Sequence, residues 1–206
     1  MRRHTALSIL TWAIFLIGAW NVQTTSQAVA DATPSKAYFA GGCFWCMEEA
    51  FEKVEGVLSA TSGYMGGTVA NPSYEEVSAG RTGHAESVEV VYDPARVSYQ
   101  KLLDAFWHNV DPITPHAQFC DHGSQYRSAI FFQTDEEKGA SDTSKQAIKQ
   151  SKRFKEPIVT QIVMASQFYP AEEYHQDFYK KNPVRYKFYK YNCGRTKRLE
   201  ELWGNH

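Results

Sequence analysis

The chain is poor in cysteine. Four in 206 residues are too few for a small scaffold held by disulfides, though enough for a redox or metal site. It also lacks an excess of one charge: 22 Lys and Arg stand against 23 Asp and Glu, a net −1 with His neutral. That gives no sign of a nucleic-acid-binding face or an acidic solvating tail. There is no internal repeat, low-complexity tract or Gly/Ser linker, so a single domain is expected. No apolar run reaches the roughly 20 residues that cross a membrane. What is present is ordinary: 43% hydrophobic and 14% aromatic residues. This excludes disorder, collagen-like sequence and coiled coil, and leaves ample apolar surface for one core.

The N-terminus differs from the rest. Arg2 and Arg3 precede a mostly apolar stretch from Ala6 to Trp20, and Ala28-Val29-Ala30 follows after a polar segment. This is the layout of a secretory signal peptide, residues 1–30, with cleavage before Asp31. An uncleaved anchor is the competing reading, but the apolar stretch is short for a span. The expected product, residues 31–206, carries 20 basic and 23 acidic residues. It would be exported, to a periplasm or the exterior, where disulfides persist.

Along the remaining chain, Lys36–Ala40 reads as a strand. Met47, Ala50, Phe51 and Val54 carry the period of a helix that Gly56 ends. Strands are expected at Val57–Tyr64, Ser87–Tyr92, Ser128–Phe132 and Pro157–Met164. Helices are expected around Tyr74–Val77, after Ser98 through Leu102, Leu103, Phe106 and Val110, from a Thr134/Glu137 capping box to about Arg153, and at Ala171–Lys181. Asp111–Arg127 reads as a long irregular loop, and Tyr186–Gly204 as aromatic and basic with no clear period. The fold class is α+β, a mixed sheet with helices mainly on one face.

Chemistry is concentrated in Gly42-Cys43-Phe44-Trp45-Cys46. Cys43 follows a strand and a glycine pair and starts a helix, a position that favours the thiolate. Three readings fit Cys-x-x-Cys: a thioredoxin-like dithiol, half a zinc site, or a nucleophile with its own resolving thiol. Zinc is disfavoured because Cys120 and Cys193 stand apart from each other in sequence, with only His122 beside Cys120. Phe44 and Trp45 would lie beside the nucleophile as pocket wall or as core. Glu86 begins a strand, where burial in a cleft would raise its pKa for acid catalysis. Tyr74 and Tyr126 place hydroxyls on loops.

Taken in order, Gly42-Cys43-Phe44-Trp45, Gly63-Tyr64-Met65-Gly66-Gly67, Asn71-Pro72-Ser73-Tyr74, Thr82-Gly83-His84-Ala85-Glu86 and Asp121-His122-Gly123-Ser124-Gln125-Tyr126-Arg127-Ser128 closely resemble peptide methionine sulfoxide reductase of the A type. The resemblance implies a two-layer α/β sandwich and reduction of the S epimer of methionine sulfoxide, free or in proteins, as repair of oxidative damage. It implies no metal and no bound cofactor, but an external dithiol reductant such as thioredoxin or a thioredoxin-like protein, and a monomer without nucleic-acid or membrane partners. Carried over, Cys43 is the nucleophile, Phe44 and Trp45 hold the substrate methyl group, Glu86, Tyr74 and Tyr126 surround the sulfoxide oxygen, and Asp121 lies in the same pocket. A thioredoxin-like thiol–disulfide oxidoreductase is the alternative, and it would need none of Glu86, Tyr74 or Tyr126.

Many members have Gly in place of Cys46 and Asn in place of Cys120, and the Gly-rich tail with recycling cysteines is absent here. Cys46, Cys120 and Cys193 are therefore the candidates to resolve an oxidised Cys43. Cys46 is favoured as first resolver. Residues i and i+3 share a helix face with Cβ atoms about 5–6 Å apart, near the roughly 3.5–4.5 Å that a disulfide needs. Cys193 would then carry the disulfide onward.

Overall fold

The structure, a computed structural model, describes residues 33–204; the proposed signal peptide lies outside the described residues. Its centre is a six-stranded mixed sheet, in the order β7-β6-β1-β3-β2-β8. The strands are β1 (Ser35–Gly41), β2 (Val57–Met65), β3 (Ala85–Tyr92), β6 (Ser128–Phe132), β7 (Gln161–Met164) and β8 (Tyr169–Pro170). All neighbours are antiparallel except β6 and β7. A separate small hairpin, β4 (Ala117–Gln118) and β5 (Asp121–His122), punctuates the long loop.

Side chains alternate across the sheet. Ala37 and Phe39 of β1, Val88 and Val90 of β3, and Ile130 of β6 face the helices and form the main core. Helices α1 (Phe44–Glu52) and α3 (Tyr99–Trp107) pack on this face, supplying Met47, Phe51, Leu102, Leu103 and Phe106. The Phe39 ring stacks on Phe51 at 4.7 Å and Phe106 at 5.4 Å. The opposite face buries a smaller apolar set, Ala40, Met65, Ala85, Ala129, Phe131 and Phe168, under the chain that leads into β8. Helices thus pack on one face, as expected of a two-layer α/β sandwich.

Helix α4 (Asp135–Gln150) has little apolar surface, and it docks through small polar residues. Trp107 Nε1 donates to Ser144 Oγ at 3.0 Å, and Tyr99 Oη and Ser141 Oγ are 3.2 Å apart. The Glu137 amide donates to Thr134 Oγ1, but the Glu137 carboxylate accepts from the Gln133 amide, one residue earlier than in a true capping box. The reciprocal form occurs instead at α2 (Tyr74–Ser78), between Ser73 and Glu76.

Four other expectations are corrected. The strand expected from Pro157 begins only at Gln161, because Val159 gives its N–H to the Pro112 carbonyl rather than to the sheet. Helix α3 stops at Trp107, short of Val110. Ala171–Lys181 is not one helix. It is a 3₁₀ turn (Glu173–His175) and the single-turn α5 (Phe178–Lys181), separated by Asp177 at φ 54°. The tail read as aperiodic forms α6 (Pro183–Asn192) and α7 (Arg195–Trp203). Only Tyr186 of α6 is buried, so it has no apolar stripe from which a period could be read.

Candidate active site

The site is built where β1 meets α1. Gly42 has φ +77°, and a Cβ there would lie 2.4 Å from Gln118 Cβ; one on Gly41 would lie 2.5 Å from Met47 Sδ. Two side-chain-free residues therefore let the chain turn sharply into α1. Cys43 is the N-cap, its carbonyl accepting from the amides of Cys46 and Met47. The Phe44 amide, one of the donors left open at a helix start, donates to Glu86 Oε2 at 3.1 Å. Glu86 lies on β3 in the same alternation as Val88 and Val90, so it faces α1 from the sheet end.

Seven side chains nominated from the sequence, Cys43, Phe44, Trp45, Tyr74, Glu86, Asp121 and Tyr126, line one cleft of about 60 Å³. They come from α1, α2, β3, β5 and the 3₁₀ turn Ser124–Tyr126. The eighth lining residue, Tyr189 of α6, was missed. No motif surrounds it, and only the packing of α6 across α1 brings it in. Its hydroxyl donates to Asp121 Oδ2 at 2.5 Å and lines the cleft beside Cys43.

The walls are aromatic. Phe44 is 1% exposed and serves as both core and pocket floor. Trp45 stacks on Phe178 with centroids 3.8 Å apart, meets Tyr189 edge-on, and donates from Nε1 to His175 Nδ1 at 3.2 Å. His175 packs against Phe44 and Tyr74 as well, and burial lowers its pKa. It thus holds the indole in place as a neutral ring, a second contribution not foreseen from the sequence.

Burial pushes Glu86 up to about 8, with the Asp121 charge adding to it and the Phe44 amide opposing. Near neutral pH it is a carboxylic acid, able to donate a proton. Burial also raises Tyr74, to about 12, and Tyr126, and the Glu86 charge adds to both shifts. Asp121 is raised by burial, against the Tyr189 bond and the Arg195 charge.

Cys43 and Cys46 are both free thiols, 5% and 2% exposed. The expectation that the helix start lowers Cys43 is not met. Burial pushes Cys43 up, helped by Cys46 and Glu86, whereas Cys46 falls to about 6 through its bond from Cys43 and the charge of Arg195, then Tyr186 and Lys190. The two thiols are coupled, and the cations Arg195 and Lys190 favour a thiolate on the Cys46 side of the pair. Cys193, expected as a second thiol for resolving, is bonded to Cys120 in this structure. It has no thiol to offer until that bond is reduced.

A pair of coupled, buried free thiols facing a neutral carboxyl can perform two-electron chemistry at sulfur; fold and site together define a thiol-dependent oxidoreductase. Comparison with known proteins narrows the class. Residues 35–206 match the model of the family described as peptide methionine sulfoxide reductase. The peptide methionine sulfoxide reductase MsrA of Halalkalibacterium halodurans is 48% identical over 169 residues, 82% of this chain and 96% of that one. Among solved structures, reduced Mxr1 from Saccharomyces cerevisiae superposes with TM-score 0.69 at 31% identity, covering 73% of this chain and 87% of that one. Methionine sulfoxide reductase A of Corynebacterium diphtheriae gives 0.64 at 32% identity, covering 73% and 76%. The chain belongs to the peptide methionine sulfoxide reductase A family, and it reduces methionine sulfoxide.

Proposed function

We propose that this reductase acts on the S epimer of methionine sulfoxide, free or in oxidised proteins, with Cys43 as nucleophile and Cys46 as first resolving thiol. The observation that carries the reading is the convergence of the seven nominated side chains on one cleft around a buried, neutral Glu86. The sulfoxide sulfur is electrophilic, but its oxygen leaves only when protonated. As substrate enters, the Cys46 thiolate takes the Cys43 proton and Cys43 Sγ attacks the sulfoxide sulfur. Glu86 gives its proton to the oxygen, and Tyr74 and Tyr126 donate hydrogen bonds to it. Methionine leaves and Cys43 is a sulfenic acid. Cys46 Sγ then attacks Cys43 Sγ, the Cys46 proton goes to the departing hydroxyl, which leaves as water, and Glu86 regains its proton from solvent. Phe44 and Trp45 enclose the S–CH₃ group, since a thioether methyl gains dispersion contact from flat rings. Asp121 fixes the Tyr189 hydroxyl beside Cys43.

No prosthetic group enters these steps; the electrons come from an external dithiol of thioredoxin type. The chain acts as a monomer, exported after loss of residues 1–30, and repairs methionine in an oxidising compartment. Fractionation of expressing cells with N-terminal sequencing tests export, and Asp31 is the expected first residue. Activity is tested with the two resolved sulfoxide epimers and dithiothreitol. Consumption of the S epimer alone supports the reading, and equal consumption of both refutes it. A thioredoxin-like oxidoreductase would instead reduce insulin disulfides, and it leaves the cluster of Glu86, Tyr74 and Tyr126 without a use.

A further inference from the structure

Basic residues are unevenly spread along the chain. Residues 178–198 hold eight of the 22 Lys and Arg and no Asp or Glu, although the net charge of the whole is −1. Four of the eight pair with acids outside this stretch, and Arg195 is buried. The other three, Arg185, Lys187 and Lys197, are exposed and have no ion-pair partner among the described residues. They surround three apolar side chains of α6. Val184, Phe188 and Tyr191 are 82%, 71% and 85% exposed. At about 100° per residue these three fall within about 60° of one another, on the side of α6 away from Tyr186. Tyr186 is buried and bonds Glu49 of α1, so the three face outward. By the same count Arg185 and Lys187 emerge on the two flanks of this ridge. Val184, Arg185 and Phe188 line one depression, and Lys187, Tyr191 and Lys197 line another between α6 and α7. The apolar and basic groups are therefore contiguous in space. The Arg185 guanidinium lies 5.6 Å from the centre of the Phe178 ring, so it is held without an acid.

Exposed apolar residues scattered singly need no explanation, but a ridge of three between unpaired cations has the layout of a helix that lies on an anionic membrane. A convex ridge gives a protein partner no pocket for its anchor residues. Fluid acyl chains close around such a ridge, and phosphate headgroups meet its flanks. We propose that the outer face of α6, with Lys197 of α7, docks on an anionic lipid surface. Val184, Phe188 and Tyr191 enter the boundary between headgroups and acyl chains, while Arg185, Lys187 and Lys197 pair with headgroup phosphates. The inward face of α6, where Tyr189 lines the cleft, stays clear of lipid. The attachment is peripheral, since no described helix is long and apolar enough to cross a membrane. The family resemblance implies no membrane partner; the docking rests on this chain's own surface.

The test is lysine footprinting on the whole enzyme. The enzyme is acetylated briefly with vesicles of phosphatidylcholine alone or mixed with phosphatidylglycerol, and mass spectrometry reads the labelling of each lysine. This reads the face itself whether or not residues 1–30 are attached. Anionic vesicles should protect Lys187 and Lys197 and leave Lys101 and Lys138, exposed on α3 and α4, unchanged. Phosphatidylcholine should protect none of them, and high salt should abolish the protection. Lys187→Gln should raise the anionic lipid needed to half-protect Lys197 about fivefold. Val184→Ser combined with Phe188→Ser and Tyr191→Ser should lose the protection while turnover of free methionine sulfoxide is unchanged. Full labelling of Lys187 and Lys197 on anionic vesicles, or equal protection of Lys101 and Lys138, overturns the inference. So does protection that survives the three Ser substitutions and is competed away by polyglutamate, which assigns the face to an acidic protein instead. Should the Ser variant fail to fold by far-UV circular dichroism, the two vesicle compositions and Lys187→Gln decide by themselves.

Discussion

Replacing Glu86 with Gln separates what this residue does for chemistry from what it costs the fold. The Gln carbonyl keeps an acceptor for the Phe44 amide, so α1 retains its start. The amide cannot give up a proton, and loss of a positioned acid typically costs about 10²–10⁴-fold in rate. Stability should move the other way. The carboxyl titrates near 4.5 in the unfolded chain and about 8 in the fold, so the fold favours its protonated form. Its contribution is therefore complete below the unfolded value, falls as pH rises through the window up to about 8, and is flat beyond. At pH 7 this amounts to about 3 kcal/mol of stability that a residue which cannot ionise would not lose. Glu86→Gln should therefore be more stable than the unaltered chain at pH 7, with the gap closing toward pH 4. Denaturant melts across that range measure the stability, and single-turnover methionine release in a quench-flow instrument measures the rate. The unaltered chain should also slow as pH rises past about 8. A variant that is slower and less stable, or one with an unchanged single-turnover rate, would refute the reasoning.

Trp45→Ala removes one wall of the methyl pocket, and about 1–3 kcal/mol of lost apolar contact should raise KM for methionine sulfoxide 10- to 100-fold; an unchanged KM and unchanged preference among larger alkyl sulfoxides would make Trp45 core only. Tyr189→Phe loses the hydroxyl that donates to Asp121 and stands beside Cys43. It should lower the rate of the first step by about tenfold, worth roughly 1.4 kcal/mol, with little change in KM. Gly42→Ala places a Cβ 2.4 Å from Gln118 at φ +77° and should lower stability by at least about 1–3 kcal/mol, read as a lower Tm.

Most of the sheet was legible because its strands alternate and its helices α1 and α3 carry a clear apolar period. Glu86 could be placed because β3 is one of those strands. The chain beyond Pro170 was not legible, for a physical reason. Helix α6 attaches through hydroxyls and charges rather than through an apolar stripe, and α7 adds charged contacts to its buried Leu202 and Trp203. The Tyr186 hydroxyl donates to Glu49 at 2.6 Å, and Arg198 pairs with Asp111 at 2.9 Å. Such contacts leave no period in the sequence, so Tyr189 stayed hidden while Tyr74 and Tyr126, set in motifs, did not. The pairing of Cys120 with Cys193 was equally invisible, since 73 residues separate them and only the docking of α6 brings them together. His175 left no signal of its own either, because its role arises from the rings that surround it.

That docking has a consequence for the order of assembly. The sheet and its helices α1, α3 and α4 are complete by Pro170, yet the cleft is finished only by contacts of very long sequence separation. The Asp177 amide reaches Glu48 across 129 residues, Tyr186 reaches Glu49 across 137, and Arg195 reaches the Gly41 carbonyl across 154. Contacts of this separation carry the largest loop-closure cost and belong to the slow part of folding. A chain whose sheet has formed but whose last helices have not docked therefore carries Cys43 without the tyrosines and the ion pairs that cover it. Wherever oxidants are present, that interval is a window of vulnerability, in which the nucleophile meets peroxide or a stray disulfide before it meets its substrate. The C-terminal helices are in this sense a sheath for the thiol as well as a wall of its pocket.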